Sequence, residues 1–152
     1  MFRGANAINL DPKGRVTIPS RYRQLLLDDC EGQLVCTIHT DQTCLVLYPL
    51  SEWEDIELKL SRLTSTDIHE RRIQRLLLGH AMDGLMDKNG RFLLAPTLRD
   101  FAKLEKQIML VGQRNRFEIW NADLWQAQIE EDLETQQNGG FEVSERLQEF
   151  SL

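Results

Sequence analysis

The chain has 152 residues, 41% of them hydrophobic and 28% charged, with a formal charge of −6 and a pI near 5.1. That is ordinary composition for a soluble globular protein, and no apolar run approaches the roughly twenty residues a bilayer span needs, so no membrane role is expected. The acidic total argues against a polyanionic partner only until its distribution is read. Residues 1–27 carry Arg3, Lys13, Arg15, Arg21 and Arg23 against Asp11 alone, whereas eight carboxylates face only Arg146 over residues 121–152. At physiological salt the Debye length is about 8 Å, so a local patch counts for more than the sum.

In chain order, Met1-Phe2-Arg3-Gly4 lacks the long apolar core of a secretion signal. Ala5–Leu10 reads as a strand. It leads into Asp11-Pro12-Lys13-Gly14, which places Asp, Pro and Gly at the first, second and fourth positions of a type I turn. A return strand, Val16–Ile18, ends at Pro19 and passes into a short helix, with Tyr22, Leu25 and Leu26 forming its buried stripe. Leu34–Ile38 and Cys44–Tyr48 read as a hairpin. A helix follows with Ser51 as N-cap and Trp53, Ile56, Leu60 and Leu63 at helical spacing. Cys30, Cys36 and Cys44 are an odd number, read as reduced thiols of a cytoplasmic protein.

A further helix then opens at Asp67, with Glu70 three residues on, and stops at Gly79. Beyond it the pattern starts again. Asp87-Lys88-Asn89-Gly90-Arg91 echoes Asp11-Pro12-Lys13-Gly14-Arg15 at an offset of 76, which holds through Tyr22/Leu98, Arg23/Arg99, Leu25/Phe101 and Leu26/Ala102. The return strand Phe92–Leu94, a helix near Pro96, the hairpin Ile108–Val111 with Phe117–Trp120, and a helix capped by Asp123 with Trp125, Ile129 and Leu133 complete the second copy. Asn138-Gly139-Gly140 separates a short tail whose Phe141, Val143, Leu147 and Phe150 are suited to dock on another surface. A unit of about fifty residues is near the lower limit for a core of its own, so the copies are expected to share one. The expected division is repeat 1 over 1–53, a helical linker over 54–79, repeat 2 over 80–125, and a C-terminal helix with acidic tail over 126–152.

Leu10-Asp11-Pro12-Lys13-Gly14-Arg15 followed by Pro19-Ser20-Arg21-Tyr22-Arg23 resembles the N-terminal signature of AbrB-like DNA-binding domains. The tandem copies, joined by Arg71-Arg72-Arg75-Leu76-Leu77-Leu78-Gly79-His80, resemble the MraZ family. The resemblance implies an α+β fold with an all-β core, a double-split (swapped-hairpin) β-barrel built by the two repeats, plus short helices. It also implies a ring-like homo-oligomer in the cytoplasm, at the nucleoid. There it would bind tandem repeats in double-stranded promoter DNA and regulate, typically repress, its own operon and the division and cell-wall gene cluster.

The residues expected to meet DNA are Arg15, Lys13, Arg3, Arg21, Arg23, Arg91 and Arg99, with Asp11, Gly14, Asp87 and Gly90 forming the turns. An arginine fork suits phosphates and guanine edges, a good base contact being worth roughly 1–3 kcal/mol. The bland reading of Arg15 and Arg91 is an intrachain pair with Asp11 or Asp87. Arg71, Arg72 and Arg75 are open to DNA, to acidic neighbours on another subunit, or to solvent alone. The tryptophans read as core or subunit contacts. His39 with Cys36 and Cys44 matches no common zinc spacing, so no metal is expected. No cofactor is expected, and no catalytic signature is present, so an enzyme is not expected. The alternatives are an oligomeric protein-interaction scaffold with incidental DNA binding, and an antitoxin-like regulator.

Overall fold

The computed structural model describes residues 1–150 and Leu152. In the first copy β1 (Phe2–Asn9) and β2 (Arg15–Thr17) flank the Asp11 turn, followed by α1 (Ser20–Cys30), β3 (Gln33–Ile38), β4 (Leu45–Pro49) and α2 (Leu50–Ser61). α3 (Ile68–Gly79) joins the copies. The second copy repeats the order with β5 (Met82–Leu85), β6 (Arg91–Leu93), α4 (Pro96–Phe101), β7 (Gln107–Arg114), β8 (Phe117–Asn121) and α5 (Ala122–Asn138); a short α6 (Glu145–Gln148) lies in the tail.

This is a mixed α+β fold whose strands pair between copies. A six-stranded antiparallel sheet runs β1-β7-β8-β4-β3-β5, and β2 with β6 forms a separate antiparallel ribbon. The first strand of each copy therefore lies against the third strand of the other: β1 on β7 and β5 on β3. The register makes the relation a two-fold one. Val46 sits opposite Glu118 in the β4–β8 crossing, and Val16 opposite Phe92 in the ribbon. Each meets the residue that holds its own place in the other copy.

The alternation of β strands puts Leu45, Leu47, Phe117 and Ile119 on one face of the sheet, where they join Val16, Ile18, Phe92 and Leu94 in the main core. Phe2, Tyr22 and Phe117 pack as a trio, Phe2 stacked on Phe117 at 4.3 Å and Tyr22 edge-on to Phe117 at 5.1 Å. Burying each such side chain is worth about 1.5–3 kcal/mol. Because residues of both copies interleave here, neither copy has a core to itself. Behind the sheet, Cys44, Val111 and Trp120 form a second cluster against Trp125 of α5. Trp53 is buried and donates its indole N–H to Glu57. The three cysteines are free thiols; burial pushes Cys44 up to about 12 and Cys36 higher still, so both stay protonated. His39 Nδ1 accepts the Asp41 N–H.

Three local expectations need correction. Leu25 is 47% exposed, because α1 touches the core through a narrow stripe, Tyr22 and Leu26. Ser51 caps nothing: α2 starts at Leu50 directly from the end of β4, and the Ser51 hydroxyl binds Asp29 instead. Asp123 is likewise inside its helix. Asn121, the last residue of β8, is the cap and accepts the N–H groups of Asp123 and Leu124 at 2.8 and 3.1 Å. Both helices leave their strands without a loop, so the boundary falls one or two residues early. Asp67 caps α3 as expected, accepting from His69 and Glu70. Among the described residues no helix is long and apolar enough to cross a membrane.

Candidate nucleic-acid interface

The two Asp-to-Arg turns are built alike from the backbone up. In the first, Gly14 N–H donates to the Asp11 carbonyl at 2.9 Å, and Gly14 takes φ of +84°, a left-handed value that favours glycine. The Asp11 carboxylate accepts the backbone N–H groups of Lys13 and Arg15 through Oδ1, each at 2.9 Å. Its Oδ2 accepts Arg15 Nε at 2.6 Å. In the second turn Asp87 accepts from Asn89 and Arg91 backbone N–H groups and from Arg91 Nε at 3.0 Å, and Gly90 has φ of +78°. The turns lock onto each other: Ile18 N–H donates to the Gly90 carbonyl and Leu94 N–H to the Gly14 carbonyl.

These are the only two ion pairs among the described residues, and each uses just the Nε of its arginine. The bland and functional readings of Arg15 are thus compatible. The carboxylate fixes the guanidinium's inner edge while the terminal amino groups stay available to an incoming acceptor. Arg15 retains 26% side-chain exposure and Arg91 35%. Since facing residues of a ribbon share a side, Arg15, Leu93, Thr17 and Arg91 lie on one outward face, with Val16 and Phe92 turned into the core. Arg15 and Arg91 are diagonal neighbours, about 7–8 Å apart at the backbone.

The remaining candidates divide. Arg23 and Arg99 come to the turns from the opposite copy. The Arg99 guanidinium packs so closely on Gly14 that a Cβ there would lie 2.6 Å from its Cζ, and Arg23 packs on Gly90 in the same way. Each is held by a bond from Nε to a backbone carbonyl, Arg23 to Ile18 at 2.8 Å and Arg99 to Leu94 at 3.2 Å. Lys13 is exposed on the first turn. Arg3 and Arg21 sit elsewhere. Arg21 leans over the Tyr22 ring and bonds Asn6 of β1, while the Arg3 carbonyl accepts the Tyr22 hydroxyl. From Arg3 to the turn is most of the length of β1, about 20 Å or more at 3.4 Å per residue. Comparing the two copies position by position passes over Lys88, exposed on the second turn, because it stands where the first copy has Pro12. Each turn thus gathers three cations, its own arginine and lysine and the other copy's arginine, against one carboxylate.

The backbone N–H of Arg15 is the leading cause that holds the Asp11 carboxyl below the ordinary value of 3.8, and the Arg91 N–H does the same for Asp87. A carboxylate whose folded pKa is depressed contributes stability above its unfolded pKa and loses it as pH falls through the folded value. The turns are therefore expected to be insensitive to pH near neutrality and to open only below about pH 4. The Arg15 amide shift, followed by NMR through an acid titration, checks this. Asp11→Asn should abolish that acid transition in the first turn and leave the one at Asp87.

Comparison with known proteins matches this architecture. The model of the MraZ protein family matches residues 1–76 and again residues 77–150. The chain is 70% identical to the transcriptional regulator MraZ of Pseudoalteromonas atlantica, 57% to that of Idiomarina loihiensis and 56% to that of Escherichia coli O127:H6. Every one of these alignments covers 100% of both chains. With both halves of the sequence answering to one family model and full-length identity this high, the chain belongs to the MraZ family.

Proposed function

We propose that the chain is a transcriptional regulator, as its relatives are named, and that it acts by binding DNA. It grips the duplex with the outward face of the β2–β6 ribbon. One observation carries the reading: two carboxylate-braced arginines on one two-stranded ribbon, with Lys13, Lys88, Arg23 and Arg99 crowding the same turns. The major groove, about 12 Å wide, admits such a ribbon, and braced guanidinium groups suit guanine edges and phosphates. Leu93, 53% exposed opposite Arg15, adds an apolar spot of the kind that reads a thymine methyl.

The finer reading follows from the resemblance. The strand exchange supports a swapped-hairpin barrel shared by two repeats. The chain acts as a repressor of its own operon and of the division and cell-wall cluster, at the nucleoid in the cytoplasm. It does so as a ring whose repeated grips gain avidity on tandem promoter repeats. Binding, not catalysis, is the role, and no cofactor enters it. A scaffold that binds DNA only incidentally is the second reading, favoured by the exposed Phe141, Leu147 and Phe150 of the tail.

Titrating the protein onto repeated and scrambled promoter DNA across a salt series separates the two. A regulator prefers the repeats, and its log affinity falls against log salt with a slope of about 0.9 per neutralised phosphate. Equal affinity for both DNAs supports the scaffold.

A further inference from the structure

α3 has no counterpart in the second copy, and its outer face is basic. Arg71, Arg72 and Arg75 are all exposed there, flanked by Ile68 at 59% and Leu78 at 43% exposure. Among the described residues none of the three forms an ion pair. Nearer the C-terminus, α5 carries five carboxylates and no basic residue. Its start packs on Val111 of β7 and Trp120 of β8 through Leu124 and Trp125, but every residue from Glu130 to Asn138 is exposed, Leu133 at 54%. Nine helical residues standing clear of the body would fray on their own, since isolated helices this short are marginal in water.

The two faces match in spacing as well as charge. Arg71 and Arg75 lie one turn apart on α3; Glu130 and Glu134 lie one turn apart on α5. At 1.5 Å rise per residue both pairs span about 6 Å, so two helices packed roughly 8–10 Å apart can engage both at once. The apolar residues beside each stripe, Ile68 and Leu78 on one and Leu133 on the other, provide the burial that surface ion pairs alone do not. We propose that the basic face of α3 in one copy of the chain receives the projecting end of α5 from the next. The contact joins two different surfaces, so it is heterologous and propagates, closing a ring when the rotation allows. The inference rests on the ring assembly proposed above and names the surfaces that build it. It also assigns the α3 arginines to the subunit contact and not to DNA.

Charge reversal tests it in the full-length protein, with mass read by sedimentation velocity. Arg71→Glu with Arg75→Glu, and separately Glu130→Arg with Glu134→Arg, are each expected to drop the wild-type oligomer to smaller species. All four substitutions exchanged within one chain should restore it. Mixing the two reversed variants should also restore it, because each then offers the face the other lacks; a variant that had merely lost its fold would not recover on mixing. Both variants keeping the full wild-type mass would overturn the docking while leaving the ring intact. A wild type that is monomeric at every concentration would overturn the ring and the docking together. Unchanged mass with weakened DNA binding in the α3 variant would place those arginines on DNA, which also overturns the proposal.

Discussion

Arg15→Ala is expected to weaken binding to promoter repeats about 5- to 150-fold per grip, the factor that 1–3 kcal/mol of a good base contact represents, and more where several grips act together. The salt slope should become shallower by about 0.9 for each phosphate that a grip no longer neutralises. Stability should change little, because a solvent-accessible ion pair contributes little and the Asp11 carboxylate keeps its two backbone donors. Arg15→Lys sharpens the test. It keeps the charge but loses the planar fork, so general affinity should survive better than preference for the repeats. Unchanged affinity in the alanine variant, with a lowered melting temperature, would reduce Arg15 to a turn strut and remove the central support of the proposed function.

Gly112→Ala should be strongly destabilising, at about 3 kcal/mol or more. Gly112 faces Gly4 where β7 carries β1. A Cβ at this position would lie 2.4 Å from the Arg3 backbone nitrogen and 2.7 Å from both Arg3 Cα and the Phe2 carbonyl carbon. Those are main-chain atoms and cannot swing aside as a side chain would, so β1 must lift. Phe2 would then leave its stack on Phe117, and the ladder that runs to Asn9 would loosen, combining overpacking with reduced burial. Gly79→Ala is the control. It meets nothing within 4 Å at the end of α3, and alanine there should be neutral or stabilising by up to about 1 kcal/mol. Urea unfolding midpoints compare the two. A Gly112→Ala protein as stable as wild type would mean that β1 is not seated on β7 as described.

What the sequence discloses and what it hides follow one division. The turns were legible because their chemistry is local: Asp, Gly and Arg at fixed spacing dictate the bonds that Asp11 and Asp87 make, and Asp67 announces α3 in the same way. The strands of each hairpin were legible from their apolar runs. Which strand lies beside which was not. β5 is only Met82-Asp83-Gly84-Leu85, too short to show a pattern, and its place against β3 depends on a residue register between copies. The same reason hid the true position of Arg23 and Arg99. Reading along the chain puts each beside its own turn, whereas the exchange delivers each to the other one. Leu25 misled because helical spacing marks a face but not how wide a strip of it the core will cover.

The crossing of Val46 with Glu118 shows what joining both repeats in one polypeptide permits. Were the same sheet assembled from two identical molecules, the residue on the dyad would meet itself, so a carboxylate there would face a second carboxylate with water largely shut out. Like charges so placed oppose joint ionisation. A covalent tether frees the dyad from that identity: valine fills one side while Glu118, on the other, accepts a hydrogen bond from the indole N–H of Trp120 at 2.9 Å. Asymmetry at the centre is thus open to this molecule in a way that no pairing of equals could reach.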